Sequence, residues 1–582
     1  MLSRPLDTVV RNLEDACRWP LHYLGRDAIQ ARNECTMRML RAEVSTAFSG
    51  ICAPTVSMRM LGACLSNYQE ERLALEYSSA IDLDSHCRDE LSMLPDPPAH
   101  IYSNILSFAT ADTMKILRQH SEFTLDILDE VFLKRPSVSL SVKCCLHADC
   151  ARAHCMLKAG WIHVAGIPCQ DWSSQGKKER LEGKGMVPLF CWIALRCRLL
   201  TPILVLENVH SFPFSLLAEY MPMYRFEEVI LDNEALGHAV SRTRRYCLAT
   251  LVSYCTLSRP LSQLPHELGR TRGASHTWRD YFLADDLELL AELEWSMNRK
   301  RSRSHSTRRP TAATLANPTA WEDSLVPWEW KHLSQCRAIE AGMVYTLSQT
   351  PERRQWSSRH VMQALIAGQH MLYNDEANRW ATARECLAMQ GFPVYPCMIS
   401  AFFGNRQQFK LCSFNSMRSK FGLRPRCRSA VVHAAGNSMM LSAVGGVILW
   451  ACAFVDIICG SVSVGAAVPA PLSLPALSAS VGVRKRRRRA PAEPLNLRES
   501  LTPSDSTNVH CTPSKSGSAD ALSLVSVSST PCDSCASSSV SWPSTPSDSC
   551  ASSSVSDSAS PAFDMMFSAI CARKRARILR DS

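Results

Sequence analysis

Residues 161–170 read WIHVAGIPCQ. Trp161, Ile162, Val164 and Ala165 form a short apolar run that passes directly into Pro168-Cys169-Gln170. A run this short, bounded by glycine and proline, reads as a buried strand. Cys169 then falls in the loop just beyond it, where reactive side chains are commonly placed. Runs of the same kind recur: VSTAFSG from Val44, SSAIDLD from Ser78, AHIYSNIL from Ala99, TPILVLENV from Thr201 and RYCLATLV from Arg245. Spacers of helix length separate them. Alternation of this kind predicts βα units: an α/β, Rossmann-like, mostly parallel sheet with helices on both faces.

The chain has 582 residues, more than one compact domain usually holds. Apolar residues make up 46% and charged residues 20%, which fits a soluble globular body. The net charge of +10 is compatible with a nucleic-acid partner. The 26 cysteines are scattered, and the N-terminus lacks the apolar core of a signal peptide, so reduced thiols in an intracellular chain are expected. The apolar run SAVGGVILWACAFVDIICG from Ser442 contains Asp456 and is rich in glycine and serine. It reads as a buried core helix rather than a membrane span.

Five regions follow one another. Residues 1–43 form a helical extension, and 44–254 hold the strand-like runs. Residues 255–380 form a smaller region of mixed composition at its start, and 381–460 are of ordinary globular composition. Residues 461–582 are rich in Ser, Pro and Ala and are expected to be disordered. The tail repeats TPCDSCASSSVSWPS from Thr530 as TPSDSCASSSVSDSA from Thr545. Basic runs lie at 298–310, 484–489 and 573–577. The first lies in a mixed stretch that reads as an insert or small domain and could contact phosphates; each of the two tail runs reads as a solvated charge run, a phosphate-binding arm or a nuclear address.

Several short patterns carry chemistry. Cys169 offers a thiolate, soft and nucleophilic enough to add to an electron-poor ring carbon. Glu207, in LVLENV, ends an apolar strand, where a desolvated carboxyl group holds its proton and can donate it in a hydrogen bond. Arg242 and Arg244 alternate, so an extended segment points both guanidiniums into one pocket. Phe48-Ser49-Gly50 ends a strand in a turn that backbone can bring close to a ligand. Asp82 ends the next strand, where an acid commonly holds ribose hydroxyls.

Taken in order, these residues resemble the C5-cytosine-specific DNA methyltransferase family. Phe48-Ser49-Gly50-Ile51 resembles its first cofactor motif and Asp82 its ribose-binding acid. Asn104 falls where the family usually has an Asp near the adenine. Pro168-Cys169-Gln170 resembles the nucleophile motif, and Glu207-Asn208-Val209 the motif whose glutamate contacts cytosine N3. SRTR at 241–244 resembles the Arg-x-Arg motif, and TARECLAMQGFP at 382–393 the late Gly-Phe-Pro motif. AGNSM at 435–439 resembles the last cofactor motif, with Asn437 and Ser438. The resemblance implies a class I methyltransferase fold with S-adenosyl-L-methionine as methyl donor. It also implies catalysis through Cys169, Glu207, Arg242 and Arg244, a catalytic and cofactor-binding domain over 44–254 completed by 381–460, and a target-recognition region over 255–380. Pro168 joins the cofactor site. DNA is the expected partner, with RNA as the alternative; no membrane and no obligate protein partner are implied, and the expected location is nuclear.

The chain departs from the family pattern at named positions. Asp171 and Trp172 follow the nucleophile where Pro and Phe are usual. Val240 stands where Gln is usual, and Cys52 where a second glycine is usual. Two readings compete with an active DNA enzyme: the tRNA-directed branch, and a catalytically silent nucleic-acid binder with the same fold. The cluster CCLHADCARAHC at 144–155 offers Cys144, Cys145, His147, Cys150, His154 and Cys155. Its spacings match no zinc pattern and lack the second half of a split site, so no metal is expected.

Overall fold

The computed structural model describes residues 9–66, 76–94, 96–120, 123–147, 155–173, 176, 178–301, 310–348, 360–363, 365, 371–403 and 428–458. The Ser/Pro-rich tail with its repeat and both its basic runs lies outside them. So do Cys150, His154 and most of the basic stretch 298–310.

Seven strands form the central sheet: β1 Val44–Ala47, β2 Tyr77–Ile81, β3 His100–Tyr102, β4 Ile162–Gly166, β5 Ile203–Val209, β6 Tyr224–Asp232 and β7 Thr243–Leu251. Their order across the sheet is β3-β2-β1-β4-β5-β7-β6. All neighbours are parallel except those of β7, which runs antiparallel to β5 and β6. The six runs singled out in the sequence all form strands of this sheet. The seventh strand, β6, carries charged residues at alternate positions and gives a weaker apolar signal.

Alternation along the strands builds two cores. On β5, Ile203 and Val205 join one apolar cluster, while Leu204 and Leu206 join the other. On β7, Tyr246 and Leu248 face the first cluster and Cys247 and Ala249 the second. Side chains on a strand point to opposite faces in turn, so a sheet covered on both sides reads as an unbroken apolar run. The first face is covered by α1 Trp19–Leu24, α2 Ala53–Ser66 and, from the far end of the chain, α7 Leu441–Phe454. The second is covered by α3 Met186–Leu199. His163 on β4 ties these layers together. Its Nε2 accepts from Trp192 Nε1 at 3.0 Å, and its Nδ1 lies 2.8 Å from Ser45 Oγ. An indole N–H can only donate, so this imidazole is neutral. Burial likewise drives its pKa well below the ordinary value.

The remaining described helices, in chain order, include α4 Asp286–Arg301, α5 Ala383–Met389 and α6 Arg428–Asn437. Residues 289–380 own a third, smaller core built on Leu293, Trp321, Leu333, Tyr345 and Trp380, with a three-stranded sheet of Val344–Thr346, Leu372–Asn374 and Arg379–Trp380.

Helix α7 is buried along its whole length. At 14 residues it is well short of the ~20 needed to span a bilayer. No single described helix is long and apolar enough to cross a membrane. The N-terminal segment does not stand apart. Val9–Val10 pairs with Thr271–Arg272, and Trp19 and Tyr23 pack on the glycine face of α7. A Cβ on Gly445 would stand 2.2 Å from the Trp19 ring, and Trp19 is itself buried. Gly445→Ala should therefore lower stability by about 1–3 kcal/mol through overpacking. Trp19→Leu in the same chain should return part of that loss. Urea-unfolding midpoints of the two single variants and the double variant measure both effects.

Candidate active site

The sheet order reverses between β1 and β4. Such a switch point opens a crevice beyond the carboxyl ends of the strands, where α/β proteins place ligands. Phe48–Ile51, Asp82, Asn104, Cys169 and Glu207 lie at the carboxyl ends of these strands or on the segments that follow them. Two groups meet there.

The first group follows β1, β2 and β3. Phe48 has φ 52°, Gly50 φ 53° and Cys52 φ 61°. Three left-handed residues in five make the chain double back tightly after β1. Glycine adopts this conformation without penalty, while Phe48 and Cys52 each cost about 1–2 kcal/mol. Cys52 thus holds, under strain, the conformation that a glycine would take freely. Ser49 fixes the turn, with its N–H and Oγ both donating to Ile81 O at 3.2 Å. The Gly50 N–H donates to Asp82 Oδ2 at 2.6 Å, and the Asp84 N–H donates to Asp82 Oδ1 at 2.9 Å. Burial raises the Asp82 pKa, and these two amides pull it back. Ile51 points into the core. Asn104, just past β3, accepts from the Leu106 N–H at 2.8 Å and so caps a short turn. Leu83 is 70% exposed between Asp82 and the helix that follows, an apolar surface on the rim that the sequence reading passed over.

The second group follows β4, β5 and β7. Gly166 pairs with Glu207, and Tyr246 lies opposite Glu207 on the other side. Arg244, two residues before Tyr246, reaches Glu207 with Nε 3.2 Å from Oε1. Cys169 sits half-buried in the loop after β4, and its carbonyl accepts from the N–H groups of Trp172 and Ser173 at 3.0 and 2.8 Å. Burial, and then the Glu207 carboxylate, push the Cys169 thiol above its ordinary pKa; Arg244 and Arg242 pull it down. Glu207 is raised by burial, against the same two arginines.

The residues that depart from the family pattern hold this loop. Asp171 is buried, and its Oδ2 accepts from the Gly185 N–H at 2.8 Å. Trp172 packs edge-on against Phe212 at 5.5 Å, and its carbonyl accepts from Ser211 Oγ at 2.5 Å. Asn208, buried on β5, donates to Ile167 O at 3.2 Å and so joins the loop to the neighbouring strand. Pro168 lies beside this anchor.

Arg242 is a correction to the sequence expectation. Both guanidiniums were expected to point into one pocket, but only Arg244 reaches Glu207. Arg242 is buried and donates to Leu365 O (2.8 Å), Gly436 O (3.2 Å) and Ser438 O (2.7 Å). The alternation rule assumes an unbroken strand. Here the short strand Val240–Ser241, paired with Met362–Gln363, ends before Arg242, and β7 begins after it. Val240 is buried in this short strand rather than exposed to the crevice.

The last motif is split in the same way. Ser438 is buried beside Arg242, whereas Asn437 is exposed with its Nδ2 2.9 Å from His433 Nε2. The sequence reading missed Met439, whose Cε would lie 3.1 Å from a Cβ on Gly166. Met439 and Phe48 leave little room over that glycine, which brings the first and last motifs together above β4. Glu385 of the TARECLAMQGFP stretch is buried, forked onto Arg379 by two 2.8 Å bonds, and completes a capping box with Thr382. It acts as a bolt beneath α5. Arg299, at the start of the basic stretch, is forked onto Glu329 at 2.6 and 2.7 Å.

The edge fits a nucleoside with a charged sulfonium tail. The space where a side chain on Gly50 would stand is open, and an acid waits half-buried beyond β2. Phe48–Gly50, Asp82, Asn104, Pro168 and Ser438 would hold such a group.

Residues 162–408 match the family model described as C-5 cytosine-specific DNA methylase. No curated protein matches the chain. Among solved structures, a prophage-encoded E. coli protein described as a DNA modification methyltransferase is similar at 13% identity, covering 70% of this chain and 97% of its own, with a TM-score of 0.37. The S. pombe Dnmt2 methyltransferase is similar at 14% identity over 70% and 97%, with a TM-score of 0.32. The Entamoeba histolytica methyltransferase EhMeth is similar at 12% identity over 70% and 97%, with a TM-score of 0.32.

Two measurements separate the arginines and test the electrostatics. Arg242→Ala should cost about 2–4 kcal/mol, because three buried carbonyls lose their donors. Arg244→Ala, with no such contacts to the last motif, should cost clearly less in the same unfolding experiment. Glu207→Gln removes the negative charge that helps to raise the Cys169 thiol. The pH profile of Cys169 alkylation, followed on its own peptide by mass spectrometry, should therefore move to lower pH in that variant.

Proposed function

We propose that this chain, whose residues 162–408 carry a C-5 cytosine-specific DNA methylase domain, methylates cytosine C5 in DNA through a covalent adduct on Cys169. The observation that carries the reading is the placement of three groups at one crevice: Cys169 after β4, Glu207 paired across from Gly166, and Arg244 bonded to Glu207.

S-adenosyl-L-methionine, the donor this family uses, supplies an electrophilic methyl group to C5. The protein's own groups do the rest. The Cys169 thiolate adds to C6, and the ring's electron pair moves toward C5. Burial raises the Glu207 carboxyl, so it can take up a proton to share with N3 and stabilise the enamine. Arg244 holds Glu207 in place. Once C5 carries the methyl group, a base takes the C5 proton, the C6–S bond breaks, and the thiolate leaves with the bonding pair.

A base inside duplex DNA is out of reach of this crevice, so the cytosine must rotate out of the stack. The smaller core over residues 289–380 is the natural candidate to hold the displaced duplex. A nuclear location accords with the basic runs at 484–489 and 573–577.

The test is transfer of labelled methyl to duplex DNA and, in parallel, to tRNA. Label on DNA should fall on the order of a thousandfold or more in Cys169→Ser, the scale of losing a nucleophile. A stable adduct with 5-fluorocytosine DNA should form only when Cys169 is present. Label on tRNA alone would move the substrate to RNA. A folded protein that binds both cofactor and DNA yet transfers nothing would leave a silent binder.

A further inference from the structure

A second cluster of reactive side chains lies away from the crevice. Cys144, His147 and Cys155 come from the hairpin formed by Ser141–Val142 and Cys155–Met156. His100 comes from the start of β3, the edge strand of the central sheet. Each offers one sulfur or nitrogen atom, and the four atoms lie within 4.8 Å of one another. Cys144 Sγ is 2.9 Å from His147 Nδ1, Cys155 Sγ is 3.2 Å from that nitrogen, and the two sulfurs are 3.4 Å apart. The Nδ1 of His100 is buried without a hydrogen-bond partner among the described residues. The His100 and His147 rings meet edge to face at 5.1 Å.

We propose that His100, Cys144, His147 and Cys155 bind one structural zinc ion that staples the hairpin to the edge of the sheet. Two thiolates and two imidazoles are the donor set zinc prefers in closed tetrahedral sites. A tetrahedral ion with Zn–S bonds of about 2.3 Å holds its two sulfurs about 3.8 Å apart, close to the spacing seen here. Four protein ligands leave no open position, so the ion is structural and not catalytic.

The local spacing hid this site. Cys144 and His147 form one half of a split site, and the other half needs a ligand from a different element. The sheet supplies it. The Cys145 N–H donates to Ile101 O at 2.6 Å, which draws the hairpin against β3 and brings His100 into range. Unpaired edge strands invite wrong pairing, and a metal-clamped hairpin covers this one. The same strand leads directly into Asn104 on the cofactor rim.

The full chain, purified under reducing conditions without chelator, should carry close to one zinc ion by plasma mass spectrometry. Cobalt in its place should give tetrahedral ligand-field bands and a thiolate-to-cobalt charge-transfer band. Cys144→Ser and His100→Ala should each lower zinc content about tenfold or more, while Cys145→Ser should keep it. Should those variants fail to fold, the cobalt spectrum of the unaltered protein still decides. Alkylation adds a second readout there: zinc should be released together with modification of the Cys144 and Cys155 peptides. The proposal is overturned if the unaltered protein takes up no zinc and its cobalt form lacks the thiolate band. It is equally overturned if zinc content is unchanged in His100→Ala and Cys144→Ser.

Discussion

One buried guanidinium holds the molecule together. Arg242 leaves the break between two strands and donates to carbonyls at Leu365, Gly436 and Ser438. These belong to the region after the sheet and to the last motif, far apart in sequence. These three bonds offset the cost of burying the charge, while its Nε is buried without a hydrogen-bond partner among the described residues. Burial lowers its pKa to about 10, which still leaves it charged at neutral pH. The carbonyls it meets are backbone groups, so the contact fixes where the chain runs rather than which side chains it carries. Helix α7 can then return to the first motif, where Ser57 Oγ donates to Leu441 O at 2.9 Å.

With the first and last motifs joined in this way, the crevice is built from rigid parts. Strand register sets Glu207 beside Gly166, and β7 delivers Arg244 to the same spot. Only the Cys169 segment is a loop, and three contacts stiffen it: Asp171 to Gly185, Asn208 to Ile167, and Trp172 against Phe212. Preorganisation of this kind matters because developing charge is stabilised best by groups that do not have to move. Opposing influences act on Cys169, and their net effect raises its thiol. Burial and Glu207 oppose ionisation, while Arg244 and Arg242 favour it. Bringing a neutral proton-sharing partner to Glu207 would tip that balance toward the thiolate.

Two residues from stretches singled out in the sequence do structural work. Glu385 clamps Arg379 and caps α5, and Arg299 of the basic stretch clamps Glu329. The residues that depart from the family pattern are also accounted for by position. Asp171 anchors a loop, Cys52 bears a left-handed turn, and Val240 is buried in a short strand.

The fold was largely legible in the sequence. A strand covered on both faces must be apolar throughout, so six of the seven central strands announced themselves as short apolar runs. The strand Tyr224–Asp232 did not, because charged residues interrupt it. The places of Cys169, Glu207 and Asp82 were also legible, since each ends or follows an apolar run and strand ends converge at one edge. Contacts between distant elements were not legible. Sequence periodicity describes a continuous strand or helix. It cannot foresee the break that turns Arg242 toward three carbonyls, the methionine that folds over Gly166, or the histidine at a sheet edge that faces two cysteines of a hairpin. Those placements depend on which elements become neighbours, and packing in three dimensions alone decides that.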